Sequence, residues 1–147
     1  MLSTPSVSSK SSVSSFESFL NNKHHDFSIN VDKINGDQKI NSIIVNNFYN
    51  LKGKEKKYNL TISSTKVKNI ISKDSKGDPS IFELLINVNY SVKKDGNILV
   101  TNNINKKVTY NNIADKFELE NYEKIIINNI STNISDKIIH SISEINE

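Results

Sequence analysis

Histidine is the side chain that most often takes part in metal sites and in proton transfer near neutral pH, and the sequence contains three. His24 and His25 are adjacent and precede Asp26, whereas His140 stands alone near the C-terminus. A metal site also needs ligands from a second position at suitable spacing, and no such pair accompanies these residues. The histidines therefore indicate neither a metal site nor a general base.

Three glutamates, Glu118, Glu120 and Glu123, lie close together where a segment with helical periodicity begins. General acid–base catalysis by carboxyl groups needs two of them in contrasting environments. Negative charge at a helix N-terminus already has a structural explanation in the helix dipole. The sequence has no cysteine, and none of its four glycines belongs to a phosphate-binding loop. We therefore expect a protein that is not an enzyme and that needs no cofactor or metal.

The basic residues other than histidine are all lysines, and the net charge is +3. Lys93 and Lys94 stand beside a turn signal, and Lys106 and Lys107 lie in the segment that follows it. Their ammonium groups are suited to bind phosphate, but lysines on an edge strand also serve to prevent aggregation. Both interpretations stay open. Other lysines are interspersed with acidic residues, whereas nucleic-acid-binding domains usually gather Arg and aromatic residues on one face, so a nucleic-acid partner is not expected.

The first half of the chain is divided at its glycines into segments of different period. Between Phe27 and Val31 apolar residues alternate with polar ones, which predicts a strand. Asp37 is suited to cap a following helix, because apolar residues then recur at three and four positions. Gly53 is expected to end that helix.

Three further strands are predicted after this helix. Residues 58–71 alternate between apolar and polar, and residues 82–92 do so without interruption. The Asp95-Gly96 pair is typical of a two-residue type I′ hairpin turn. Residues 98–110 then form the returning strand, so that the last two strands make a long ribbon.

A second helix is predicted at the end of the chain. Asp115 and Glu118 have the spacing of a capping box, with Asp115 in the cap position. An apolar stripe follows at helical spacing, and we expect it to pack on the sheet; its members are Leu119, Tyr122, Ile126, Ile127, Ile130, Ile134 and Ile138.

The order β-α-β-β-β-α, with one polar sheet face, predicts an α+β sandwich in which two helices pack on a four-stranded antiparallel or mixed sheet. Residues 1–25 are rich in serine and lack the apolar run of a signal peptide, so we expect a disordered or misassigned N-terminal segment. Residues 26–147 are expected to form a single domain.

Several short motifs occur in one order along the second half of the chain. They are a strand that reaches Tyr90, the Asp95-Gly96 hairpin, Tyr110-Asn111 in the next strand, and Asp115-Lys116-Phe117 where the last helix begins. With these motifs, residues 86–145 resemble the C-terminal half of the lipopolysaccharide (LPS)-assembly lipoprotein family. The first helix followed by Tyr58-Asn59-Leu60 extends the resemblance to residues 26–145.

This resemblance implies a non-catalytic protein on the periplasmic side of the cell outer membrane. It would sit inside and beside the β-barrel of the LPS translocon as its plug, help that barrel to assemble, and contact LPS in transit. Within this hypothesis, LPS binding is predicted for Lys93, Lys94, Lys106 and Lys107, and contact with the barrel for Tyr90 and Tyr110.

Family members carry an acylated cysteine, and this sequence has none. Retention at the membrane is therefore expected to come from the barrel itself. Two alternatives remain at this point. One is an accessory periplasmic protein of another envelope transport system, and the other is a basic module that binds nucleic acid.

Overall fold

A computed structural model describes residues 26–53 and 55–145. The elements follow the order β-α-β-β-β-α, which confirms the predicted α+β class. The strands are β1 (Phe27–Gly36), β2 (Lys56–Lys73), β3 (Pro79–Lys94) and β4 (Asn97–Asn111), and the helices are α1 (Gln38–Asn47) and α2 (Lys116–Ile145). The segment 1–25, for which disorder or misassignment is expected, lies outside the described residues.

The four strands form one sheet in the order β1-β2-β3-β4. β1 pairs with β2 in parallel, and the two other pairs are antiparallel, so the sheet is mixed. The parallel pair follows from the connection, because α1 crosses over between β1 and β2 and returns the chain to the same end of the sheet. The sequence pattern had left antiparallel and mixed sheets equally open.

Both helices cover one face of the sheet, where alternate residues of the strands are buried. Most of the buried residues of the sheet lie on β2 and β3, as expected for its central strands. It comprises Tyr58, Leu60, Ile62, Phe82, Leu84, Ile86, Val88, Tyr90 and Val92. The opposite face carries mainly Asn, Ser and Thr, and we call it the open face.

α1 begins as predicted but ends early. Asp37 caps it, since one of its carboxylate oxygens accepts a hydrogen bond of 2.9 Å from the amide of Ile40. The helix ends at Asn47 and continues as a short 3-10 turn (Phe48–Asn50), so the prediction that Gly53 ends it is wrong. Gly53 instead lies against the backbone of Asp26, where a Cβ atom would come within 1.9 Å of a carbonyl carbon.

A polar joint connects β1, α1 and β2. Gly36 ends β1 with a positive φ of 101°, a conformation that glycine adopts without steric cost. The next residue, Asp37, donates its amide to the backbone oxygen of Ser64 at 3.2 Å. The buried Ser64 hydroxyl donates to the side chain of Asn41 at 2.7 Å, and Asn41 in turn donates to the carbonyl of Asn35. These bonds satisfy polar groups that would otherwise be buried without partners.

The hairpin between β3 and β4 has the turn that was predicted. Asp95 and Gly96 both have positive φ, 53° and 81°, as a type I′ turn requires. Beyond β4, a carboxylate oxygen of Asp115 accepts bonds from the amides of Phe117 and Glu118, which confirms the predicted cap.

α2 buries the predicted apolar stripe against the sheet, and Ile142 extends that stripe by another turn. Ile134, Ile138 and Ile142 are fully buried. Tyr122 departs from the expectation, since 43% of its surface is exposed. In the described part of the chain, no helix combines the length and the apolar character that a bilayer crossing requires.

Candidate functional site

Two tyrosine hydroxyls fix the last helix along the ribbon. Tyr90 of β3 donates to the hydroxyl of Ser141 at 3.1 Å, and Tyr110 of β4 donates to the carboxylate of Glu123 at 2.5 Å. Tyr90 is paired with Asn102 near the start of β4, and Tyr110 lies near the end of that strand. Because Tyr90 bonds to the end of α2 and Tyr110 to its beginning, α2 runs antiparallel to β4. The seam is the name used below for the contact between α2 and the side of β4 that faces the helices.

The rings of both tyrosines belong to the core. Tyr90 is 2% exposed and Tyr110 is 5% exposed. The Tyr110 ring lies 5.7 Å from the ring of Phe82 and 5.9 Å from that of Tyr122, measured between centroids. The structure therefore gives both tyrosines a role in holding α2, whereas their contact with a barrel stays a prediction.

Glu123 is the centre of a hydrogen-bonded network where α2 begins. Its carboxylate lies 2.7 Å from the ammonium group of Lys68, besides accepting from Tyr110. Burial alone would raise the pKa of Glu123, but the bonds from Lys68 and Tyr110 outweigh burial and lower it. Burial and the nearby carboxylate raise the pKa of Tyr110. The network thus keeps a charged carboxylate and a neutral phenol together at neutral pH.

The four lysines predicted to bind LPS do not form one cluster. The strand register directs Lys94 and Lys106 to the helix side of the sheet and Lys93 and Lys107 to the open face. Lys106 pairs with Ile86, seven positions along β3 from Lys93, which is roughly 23 Å at the rise of a strand. Lys93 and Lys94 are therefore far from Lys106 and Lys107. Within each of these two pairs, one lysine lies on each face of the sheet. LPS binding by these residues stays a prediction.

Two of these lysines, Lys94 and Lys107, have neighbouring side chains that account for them. The ammonium group of Lys94 lies 5.7 Å from the ring centroid of Tyr58, a cation–π distance. Lys107 lies 4.0 Å from a carboxylate oxygen of Glu83. Lys93 projects from the open face next to the hairpin turn.

Lys106 instead faces another cation, Lys137 of α2, across the seam. Contact with the side chain of Lys137 and repulsion between the two ammonium groups lower the pKa of Lys106. Within residues 26–53 and 55–145, the side-chain ion pairs leave both of these lysines without a carboxylate. Sequence reasoning missed Lys137, because only the register of α2 against β4 brings it to Lys106.

Asparagine side chains bond to one another across the ribbon on the open face. Asn103 donates to Asn87 at 2.8 Å, and Asn105 donates to Asn103 at 2.8 Å. Asn87 also donates to Asn105, and Asn103 to Asn89. A depression of about 360 Å³ borders this network, and its lining includes Asn87 and Asn105. Val67, Leu85 and Lys107 also line this depression, so the middle of the open face carries apolar and charged side chains beside the uncharged asparagine network.

The described residues include no group of three His, Cys, Asp or Glu side chains placed to hold a metal ion. His140 is exposed and lies 3.5 Å from the carboxylate of Glu144 on the same helix.

The fold is similar to that of two solved bacterial lipoproteins. The rare lipoprotein B from Shewanella oneidensis is 12% identical over 82% of this chain and 98% of that chain, with a TM-score of 0.58. A lipoprotein B from Nitrosomonas europaea is 12% identical over 84% of this chain and 89% of that chain, with a TM-score of 0.61. No protein-family model matches the chain, and the search of curated proteins found no match.

These similarities confirm the resemblance noted in the sequence at the level of the fold. The similarity to the Shewanella oneidensis lipoprotein covers 82% of this chain. The chain therefore has the lipoprotein B fold, which is the fold expected from its resemblance to the LPS-assembly lipoproteins.

Proposed function

We propose that this protein is a non-catalytic component of the outer-membrane complex that assembles and transports LPS. In this proposal it lies on the periplasmic side of the outer membrane, where it acts as plug and assembly partner of the translocon β-barrel and contacts LPS. The observation that carries the proposal is the lipoprotein B fold, which covers almost the full length of the Shewanella oneidensis lipoprotein.

The open face supports the role of a plug. The interiors of outer-membrane β-barrels are polar, so a surface that fits inside one must exchange hydrogen bonds without burying unpaired charge. Asn87, Asn103 and Asn105 provide amide donors and acceptors in the middle of this face. The charged residues Lys107 and Glu83 pair with each other at its border.

The seam and the hairpin support contact with LPS. LPS carries phosphate groups, which attract ammonium groups at short range. Lys106 has no carboxylate partner within the described residues, and Lys93 projects next to the hairpin turn. Tyr90 and Tyr110 are buried, so in this proposal they serve the barrel contact by fixing the surface that α2 presents.

Co-expression with the cognate barrel tests the proposal. The barrel is purified through an affinity tag, and the amount of co-purified chain is measured. The expected result is a stable complex in equal amounts. Asn103→Lys, which places a charge on the open face, should reduce recovery, whereas the matched change Asn129→Lys on the exposed side of α2 should have less effect. A chain that stays monomeric beside a correctly folded barrel would contradict the proposal.

A further inference from the structure

We propose that the second half of β2 is a docking site where an extended acidic segment of a partner protein adds a strand to the sheet. We call this part of β2, residues 65–73, the free edge. The site goes beyond the proposed function, because it depends on neither the barrel nor LPS.

The free edge exists because β1 is shorter than β2. β1 pairs with β2 only as far as Ser64, where Gly36 and Asp37 turn the chain into α1. β2 continues through residues 65–73, and among the residues that the structure describes only β3 pairs with them. In an antiparallel pair, every second residue turns its backbone groups away from the partner strand. The free edge therefore presents backbone donors and acceptors in the line that β1 follows.

Three half-exposed apolar side chains lie on the free edge. Val67, Ile70 and Ile71 are 47%, 49% and 52% exposed. Exposed β-branched residues on an unpaired edge favour pairing with another strand, and such edges are usually short, charged or covered. The register against β3 shifts between Ile70 and Ser72, so regular pairing is available to residues 65–70. An added strand of ordinary length, about six residues, therefore fits.

The outer edge of β4 lacks this combination. Residues 101–107 include one apolar residue, Ile104, which packs against the core. The exposed apolar residues of β4, Ile98 and Leu99, lie beside the hairpin turn. On β1, the exposed apolar residue is Ile34. Among the described strands, the free edge thus has the densest group of exposed apolar residues next to unpaired backbone.

The charges of the free edge favour an acidic partner. Its ionisable side chains are all lysines, namely Lys66, Lys68 and Lys73. The register places Lys66 and Lys68 on the helix side of the sheet and Val67 on the open face. Residues directly opposite each other in neighbouring strands interact most strongly. The added strand should therefore alternate, with acidic residues opposite the two lysines and an apolar residue opposite Val67.

Lys66 and Lys68 are held in position but remain accessible. Lys66 lies 3.7 Å from the carboxylate of Asp37, and Lys68 lies 2.7 Å from the carboxylate of Glu123. The ammonium group of Lys68 also lies 4.2 Å from the ring centroid of Phe82. The two lysine side chains are 35% and 38% exposed. Because an ammonium group has three donors, each lysine can also donate to a carboxylate of an added strand.

A second copy of this chain fits the free edge less well. Pairing two free edges would place the three lysines of one copy beside the three of the other, without a carboxylate on either strand. The contact would involve about six residues from each copy, whereas a stable interface uses roughly 20–30 from each partner. An extended segment gains its affinity mainly from backbone hydrogen bonds, as in other cases of strand addition. The occupant that fits is therefore an extended acidic segment.

The test uses the full chain and a synthetic probe. The probe is a capped peptide of about eight residues in which Glu and Val alternate, and a peptide in which Lys and Val alternate is the charge control. Calorimetry measures the affinity, and amide hydrogen exchange followed by NMR locates the bound peptide. At about ten times its Kd, the acidic peptide should slow exchange of the outward-facing amides of residues 65–70 about tenfold. Exchange in β4 should stay unchanged.

Two variants with matched controls test the side-chain pattern. Val67→Asp should weaken binding of the acidic peptide about five- to thirtyfold, because it replaces an apolar cross-strand contact with a like charge. Ile98→Asp, at a 61% exposed position of β4, should change it less than about twofold. Lys66→Gln should weaken binding about two- to fivefold, and Lys33→Gln on β1 less than about twofold. All four positions are exposed, so circular dichroism should show the parent fold in each variant.

Slower exchange confined to residues 65–70, with the acidic peptide alone, would support the proposal. Equal binding of the two peptides, equal losses in variants and controls, or protection of β4 instead of residues 65–70 would overturn it. Protection of residues 65–70 that grows with protein concentration in the absence of peptide would overturn it in favour of a second copy.

Discussion

Replacing Glu123 by glutamine tests how the last helix is held to the sheet. The change keeps the size of the side chain and its bond from Tyr110, but it removes the charge that faces Lys68. A hydrogen bond to a charged group contributes about 1.5–3 kcal/mol when well buried, and an exposed ion pair about 0.2–1 kcal/mol. Because 38% of the Lys68 side chain and 19% of the Glu123 side chain are exposed, we expect a loss of about 1–2 kcal/mol between these limits.

The assay is urea unfolding followed by circular dichroism at several pH values. The pKa of Glu123 is lowered from its ordinary value of 4.5 in the folded protein, so its contribution is fully present above that value and is lost as the pH falls through the folded-state pKa. The difference in free energy of unfolding between Glu123→Gln and the parent should therefore be largest near pH 7 and become smaller in acid. Glu120→Gln, at an exposed position of the same helix, is the control and should change stability little.

Equal stability of parent and Glu123→Gln at pH 7, or a difference that grows on acidification, would refute this reasoning. The slope of the free energy of unfolding against urea concentration should be the same in both proteins, because the buried area does not change. A changed slope would mean that the variant alters the folded or unfolded ensemble rather than one bonded network.

Three further predictions address the core, the backbone and the seam. Ile134→Ala should lower the free energy of unfolding by about 2–5 kcal/mol because this side chain is fully buried, whereas Ile125→Ala, at a 57% exposed position, should cost much less; urea titration compares them. Gly36→Ala should destabilise the parallel pair strongly, since its Cβ would lie 1.8 Å from the paired β2 carbonyl oxygen; amide exchange of β1 should accelerate, and unchanged exchange would contradict this. Lys137→Gln should raise the pKa of Lys106, measured by NMR, and an unchanged value would mean that the two ammonium groups do not interact.

Local signals in the sequence were sufficient to predict the structure wherever a few neighbouring residues determine the conformation. Asp37 and Asp115 cap helices through bonds to amides two or three positions later, and the Asp95-Gly96 pair adopts a turn that few other residues tolerate. The alternation in β3 likewise predicted its buried side. These features depend on short-range sterics and on burial period, which a single sequence displays.

Contacts between distant segments were not predictable in the same way. Gly53 looked like a helix stop, but it is required for the close approach of the chain to Asp26, which only the folded backbone creates. Lys137 looked like one of several exposed lysines until the register of α2 brought it to Lys106. The orientation of β1 also depended on the crossover helix, which the apolar period alone does not determine.

Photo-crosslinking in cells tests the central claim most directly. A photoreactive amino acid is placed at Asn103 on the open face and, as a control, at the fully buried Ile134, and the adducts are identified by mass spectrometry. The account predicts that the adduct formed from Asn103 contains the LPS translocon barrel and that the buried position forms none with it. Adducts from Asn103 without the barrel, in cells that contain it, would contradict the proposed function.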